Sequence, residues 1–151
     1  MKIRNALLTG AILFSVNVVG ECDEIPTQKP GLWQVTMTSA KIPGGSRTFK
    51  MCQDAASVAA AKMSADSIAK NDCSKNDVVK HGDTWVSDSE CKMSGMHVVT
   101  HSETTVHSDE AFHTQLQSSM GAAKPVLTTI DHKYLGACEA GQKVGVPLLD
   151  K

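Results

Sequence analysis

The chain has 151 residues, of which 41% are hydrophobic and only 4% aromatic, with 15 basic and 16 acidic side chains. This length suits one domain with a modest core, and the scarcity of aromatic residues predicts a mainly aliphatic core. The balanced charge, without a basic stripe or an acidic block, excludes a typical nucleic-acid-binding protein.

The N-terminus has the features of a secretory signal peptide. Lys2 and Arg4 precede an apolar run over residues 6–19. This run is too short to span a bilayer, which needs about 20 apolar residues. We predict that residues 1–20 are a signal peptide, with an alternative cleavage site after residue 22. The mature protein is then expected to be periplasmic or secreted, from a Gram-negative bacterium, with no transmembrane span.

The predicted domain, residues 29–138, follows an N-terminal linker over residues 21–28 and begins with two strands. Residues 32–38 alternate apolar and polar side chains, with Trp33, Val35 and Met37 on one face. This alternation predicts a half-buried strand. A Pro-Gly-Gly turn then leads to a second strand over residues 46–52.

A helical pattern follows over residues 53–70. Asp54 is a candidate N-cap. Four apolar residues recur behind it at helical spacing: Val58, Ala61, Ala65 and Ile68. This pattern predicts one helix or two short ones, inserted between strands.

The chain has five cysteines, which are expected to pair outside the cytosol. Cleavage after Cys22 would leave four, which allow three connectivities; otherwise one thiol is left over. Strand register predicts a Cys73–Cys91 disulfide, and elimination then predicts Cys52–Cys138. Zinc-finger spacing is absent from the sequence.

The register of the hairpin between Cys73 and Cys91 depends on the length of its turn. A three-residue loop over residues 81–83 places the two cysteines opposite each other, on one face with Val79 and Trp85. A two-residue loop over residues 81–82 would instead place Cys73 opposite a glutamate, so that a bulge would be needed to keep the bridge. The three-residue loop is the prediction.

Three more strands complete the predicted domain. Residues 95–106 and 111–120 are joined by a turn, and a last strand covers residues 126–135. Residues 139–151 form a C-terminal tail without a predicted element. The fold class is therefore mainly β (α+β): an antiparallel meander sheet or partly closed barrel with one helical insertion and two disulfides.

Six histidines and a Met-Ser-Gly-Met-His segment raise the question of a metal site. Thioether and imidazole donors together suit Cu(I), and imidazoles suit Zn²⁺. Pairing His107 with His113 needs a five-residue loop, and a four-residue loop pairs His107 with Phe112 instead. No metal or other cofactor is therefore predicted, and the residues kept as candidate ligands are His107, His113, Met93, Met96 and His97.

Five blocks between residues 29 and 138 form a recognisable pattern. The two more specific ones are the first, KPGLWQVT at residues 29–36, and the last, Gly136-Ala137-Cys138. Between them lie a strand ending at Cys52 before a helix, a hairpin over residues 72–91 that ends in a cysteine, and a more loosely matching hairpin over residues 102–112. Together these blocks resemble an exported bacterial family known as domain of unknown function 3617. The resemblance implies an exported β-rich fold and supplies no catalytic residue.

The sequence favours a non-catalytic binding or envelope-associated protein, because no catalytic motif is present. Its partner would be a small apolar ligand or an envelope protein. A continuous internal cavity lined by Trp33, Val35 and Trp85 would support ligand binding, whereas a filled interior would point to a partner-binding or structural role. The alternatives are a periplasmic Zn/Cu-binding protein and a hydrolase whose site has no recognised motif.

Overall fold

The structure, a computed structural model, describes residues 24–149, so the predicted signal peptide and both cleavage sites lie outside the described residues. One antiparallel sheet has the strand order β3-β4-β5-β6-β7-β1-β2-β8. The elements are β1 (Gly31–Ser39), β2 (Ser46–Gln53), α1 (Ala55–Asp72), β3 (Cys73–His81), β4 (Thr84–Met93), β5 (Met96–Ser108), β6 (Ala111–Met120), β7 (Val126–Gly136) and β8 (Leu148–Leu149). Within residues 24–149, no helix is long and apolar enough to cross a membrane.

The sheet is a meander that does not close into a barrel. β3 to β7 are paired in sequence order, and β1 inserts between β7 and β2. The two edges are therefore β3 and the short β8. The predicted mainly-β class with one helical insertion is confirmed, and the sheet is open.

Most of the core lies on one face of this sheet, here called the inner face and defined by Trp33, Val35, Trp85, Thr104 and Phe112, while Leu32 and Cys52 are buried on the other face. Trp33 is completely buried. Its ring centroid lies 5.7 Å from that of Phe112 and 5.3 Å from that of Tyr134. The expectation of a mainly aliphatic core is therefore wrong, because the few aromatic residues are concentrated at its centre.

α1 is one continuous helix with a well-formed N-terminus. The Asp54 carboxylate accepts a hydrogen bond from the Ser57 backbone N–H at 2.7 Å, and the Ser57 hydroxyl oxygen accepts one from the Asp54 N–H at 3.0 Å. This capping box satisfies two backbone donors that the first turn leaves without helical partners. The predicted N-cap is confirmed. None of the helix side chains, all described, is fully buried.

Both predicted disulfides are present, Cys52–Cys138 and Cys73–Cys91. Cys52 lies two residues before the N-cap of α1, and Cys73 is its C-cap. The first bridge joins the entry of the helix to the chain after β7, and the second joins its exit to β4. The disulfides therefore anchor both ends of the only helix that the described residues form.

The predicted three-residue loop of the β3–β4 hairpin is wrong. His81 pairs with Thr84, which leaves a two-residue turn of Gly82 and Asp83, and Gly82 has a φ of 60° that suits glycine. A bulge between Cys73 and Lys75 then restores the pairing of the two cysteines.

The corrected register also changes which side chain meets Trp85. Lys80 is its partner, with the ammonium 4.7 Å from the ring centroid, whereas Val79 is 50% exposed on the other face. A cation above an indole ring is a favourable contact that a valine cannot make. The sequence had indicated that Val79 shares a face with the two cysteines. In the structure it lies on the opposite face.

The C-terminal tail contributes a strand that the sequence analysis did not predict. Leu148–Leu149 pairs with β2 as β8, and the Gly145 N–H donates to the Cys52 carbonyl at 2.9 Å. These contacts cover part of the outer edge of β2, which would otherwise present unpaired backbone groups.

Candidate functional site

A cleft of about 800 Å³ lies between α1 and the inner face of the sheet. Its walls come from α1, the segment of residues 24–28, the end of β2, the edge strand β3 and its neighbour β4. The lining side chains on the helix are Ser57, Val58, Ala61, Lys62, Ala65, Asp66 and Ala69, and those elsewhere include Ile25, Met51, Asn76, Val78 and Ser87. The cleft is thus bounded by α1 on one side and by β2, β3 and β4 on the other.

The cleft exists because the helix presents short side chains to the sheet. Ala61, Ala65 and Ala69 recur every four residues along one side of α1, and all three line the cleft. The methyl groups of these alanines are too short to reach the sheet, so a space remains between the helix and the sheet. Pockets lined mainly by apolar groups commonly bind small ligands. From Ser57 to Ala69 the lined side of the helix extends about 18 Å at about 1.5 Å per residue.

One ion-pair cluster lies at the wall of the cleft. The Lys62 ammonium is 2.6 Å from a Glu24 carboxylate oxygen and 2.9 Å from one of Asp66. The hydrogen bonds to Glu24 and Asp66 raise the pKa of Lys62 above its usual value. Because both carboxylates already hold this ammonium, the cluster has one negative charge in excess and offers no free cation to an anionic ligand.

The interior around the three residues named for a ligand cavity is filled, and this by itself favours a partner-binding or structural role. Trp33, Val35 and Trp85 are only 0%, 4% and 7% exposed, and they are packed into the core instead of lining the cleft. The walls come from less conspicuous residues, alanines above all. The four-residue alanine spacing was the only available sign in the sequence, and it is ambiguous because alanine is also the best helix former.

The KPGLW segment makes structural contacts beside the core. The Trp33 indole N–H donates to the Lys29 carbonyl at 2.9 Å. The Lys29 ammonium lies 2.7 Å from Glu110, 3.3 Å from Asp109 and 4.2 Å from the centroid of the Tyr134 ring. The hydrogen bond to Glu110 raises the pKa of Lys29. The motif therefore fastens the start of β1 to the β5–β6 turn.

The other face of the sheet, here called the outer face, carries histidine–carboxylate pairs. His101 Nδ1 lies 2.8 Å from Asp88, and its Nε2 lies 3.5 Å from Glu103. The hydrogen bond to Asp88 raises the pKa of His101, and the same bond lowers the pKa of Asp88. On β6, His113 Nδ1 lies 2.7 Å from Asp131. These histidines are paired as exposed strand residues.

His132 is different because it is on the inner face, between Val35 and Phe112 in the register. Its Nδ1 is buried and has no hydrogen-bond partner among the described residues. Burial lowers the pKa of this imidazole, since the charged form loses its hydration. The neutral form is therefore favoured inside the sheet.

The candidate metal ligands do not converge as a set. His113 pairs with Thr105, and His107 falls in a bulge between Val106 and Ser108, so the five-residue loop that would pair the two histidines is not formed. Met93 pairs with Met96, whereas His97 pairs with Lys92 on the opposite face. In residues 24–149, no three His, Cys, Asp or Glu side chains are grouped closely enough to hold a metal ion.

Comparison with known proteins gives one result. The family model described as protein of unknown function (DUF3617) matches residues 28–138. No curated protein and no solved structure matches the chain. The matched residues begin next to the KPGLW segment and end at Cys138, and they include both disulfides and most of the cleft.

Proposed function

The chain belongs to the DUF3617 family, and we propose that it is a non-catalytic protein that binds a small apolar ligand in the cleft beneath α1. The observation that carries this proposal is the incomplete packing of α1 against the sheet. A helix that anchors a core buries its apolar side, but none of the side chains of α1 is fully buried. The space beneath it has the size of a typical ligand pocket, which is roughly 300–1,000 Å³.

The shape and charge of the cleft define the ligand class. A wall about 18 Å long favours an extended molecule such as a lipid acyl chain over a compact one. The excess carboxylate at the Glu24–Lys62–Asp66 cluster disfavours an anionic head group. The ligand is therefore an elongated apolar molecule with a neutral or cationic end.

The proposal is tested with N-phenyl-1-naphthylamine, an uncharged apolar fluorophore. The probe is expected to saturate at one molecule per chain and to be displaced better by dodecanol than by laurate. An indole at position 65 would fill the cleft, so Ala65→Trp should abolish probe binding. Ala60→Trp is the matched control, since Ala60 is exposed on the same helix and does not line the cleft. Equal binding by both variants would contradict the proposal.

The site of action that we propose is the periplasm or the extracellular space. The predicted signal peptide and the two disulfides support this, because disulfides persist in oxidising compartments. Fractionation of a Gram-negative host expressing the full chain should place the protein outside the cytoplasm, and deletion of residues 2–20 should retain it inside. The hydrolase alternative gains no specific observation from residues 24–149.

A further inference from the structure

Three exposed methionines meet at the tips of two neighbouring hairpins. Met93 and Met96 flank the β4–β5 turn, and Met120 ends β6. Their exposed fractions are 45%, 50% and 54%. Thioether side chains are usually buried as core fillers, so three together in solvent are unusual. This group is called the methionine cluster.

The sheet register places all three on the inner face. Met93 is paired directly with Met96, which sets their β-carbons about 4.5–5.5 Å apart. Met120 is paired with Val98, two residues along β5, so it is the diagonal neighbour of Met96 at about 7–8 Å. Each methionine has three rotatable side-chain bonds, and their sulfurs can therefore converge on one point.

The backbone holds the two hairpin tips together. The Gly121 N–H donates to the His97 carbonyl at 2.7 Å, which ties the end of β6 to the start of β5. The β4–β5 turn is the tight two-residue pair Ser94-Gly95, whose φ values of 50° and 82° are those of a type I′ turn. The cluster therefore stands on a fixed frame, not on a long loop.

We propose that the methionine cluster binds one Cu(I) ion through three thioether sulfurs. Soft thioethers select Cu(I), and three neutral donors provide none of the negative charge that a divalent ion would need. His97 is excluded from this donor set because it projects to the outer face, and Met120, remote in sequence, takes its place. The site is separate from the cleft, since none of the three methionines lines it.

The test uses Ag⁺ as a redox-inert substitute for Cu(I), added to the full chain carrying Cys22→Ser so that a free thiol does not compete. Methyl NMR of [¹³C-methyl]-methionine protein reports each residue separately. One equivalent of Ag⁺ should shift the Met93, Met96 and Met120 methyls to saturation and leave Met63, 72% exposed on α1, unchanged. Zn²⁺ should shift none of them.

Leucine replacement separates metal binding from mere apolar exposure, because leucine keeps the hydrophobic volume and lacks the sulfur. The triple Met→Leu variant at positions 93, 96 and 120 should lose stoichiometric Ag⁺ binding yet still bind the naphthylamine probe. Met63→Leu is the control and should retain Ag⁺ binding. Equal shifts at every methionine, or one-to-one binding retained by the triple variant, would overturn the proposal. Unchanged affinity in Met120→Leu alone would overturn the three-sulfur site.

Discussion

Among single residues, the backbone conformation and close neighbours of Gly31 explain why the KPGLW segment has a glycine at this position. Its φ is 145°, a region that side-chain-bearing residues rarely adopt. A β-carbon there would lie 2.6 Å from the Gly136 carbonyl oxygen and would overlap the Tyr134 ring. Gly31→Ala is therefore expected to lower the free energy of unfolding by about 2–5 kcal/mol through strain and overpacking, measured by urea denaturation.

The control for Gly31→Ala is Gly44→Ala. Gly44 also has a positive φ, 79°, but nothing lies within 4 Å of the added β-carbon. Only the backbone penalty of about 1–2 kcal/mol should then apply. A Gly31 variant no less stable than the Gly44 variant would show that the contact with Tyr134 is not a tight one.

Two histidines should give opposite pH dependences of stability. Burial lowers the pKa of His132 in the folded state, so its unfavourable effect appears as the pH falls through about 6.5, where the unfolded state takes up a proton more readily. The pKa of His101 is raised by Asp88, so its stabilising effect is complete below about pH 6.5 and is lost as the pH rises through the raised pKa.

Substitution should expose each effect separately. Between about pH 7.5 and pH 5, His132→Leu is expected to lose less stability than the natural protein, and His101→Leu to lose more. Urea denaturation at the two pH values measures both. If His132→Leu showed the same loss of stability on acidification as the natural protein, protonation of the inner-face imidazole would not limit its stability in acid.

Among the elements, α1 is expected to depend on its two disulfides more than on packing. The bridged residues are separated by 18 positions for Cys73–Cys91 and by 86 for Cys52–Cys138. Chain-entropy arguments assign about 3 and about 4.5 kcal/mol to these loops. Because α1 has no fully buried side chain, removal of either bridge should free one helix end before the sheet unfolds.

Hydrogen exchange of the α1 amides tests this dependence. In Cys73→Ser/Cys91→Ser, the last helical turns should exchange faster and the naphthylamine probe should bind more weakly, while β5 and β6 keep their protection. In Cys52→Ser/Cys138→Ser, the first turns should be affected instead. Uniformly faster exchange across the sheet in both variants would mean that the bridges stabilise the whole fold and not the helix.

The sequence predicted most of these elements and failed on register. The alternation in β1 and the Asp54 cap are local patterns, and both are confirmed. The β3–β4 turn was predicted one residue too long because Lys80-His81-Gly82-Asp83 has turn-forming chemistry at several positions. The observed two-residue turn is accompanied by the Lys80–Trp85 contact and by a bulge after Cys73. Neither feature can be recognised from the residues of the turn alone.

At the scale of the whole molecule, the strand order could not be predicted from the sequence. The insertion of β1 between β7 and β2 joins residues about a hundred positions apart, and such pairings depend on side chains that meet only in the folded protein. The cleft was missed for the same reason. It is formed by the N-terminal segment, α1, and the strands β2, β3 and β4, none of which has a cavity signature by itself.

Because the sheet is open, its shape is less constrained than that of a closed barrel, and this bears on which ligands we expect the cleft to bind. In a closed barrel, strand number and stagger fix the circumference, and a thicker guest must break ladder hydrogen bonds. Here the described sheet has two free edges, and a helix with no fully buried side chain covers the cleft. We therefore expect α1 to move between its two anchored ends, so that the proposed binding cleft admits molecules of different thickness.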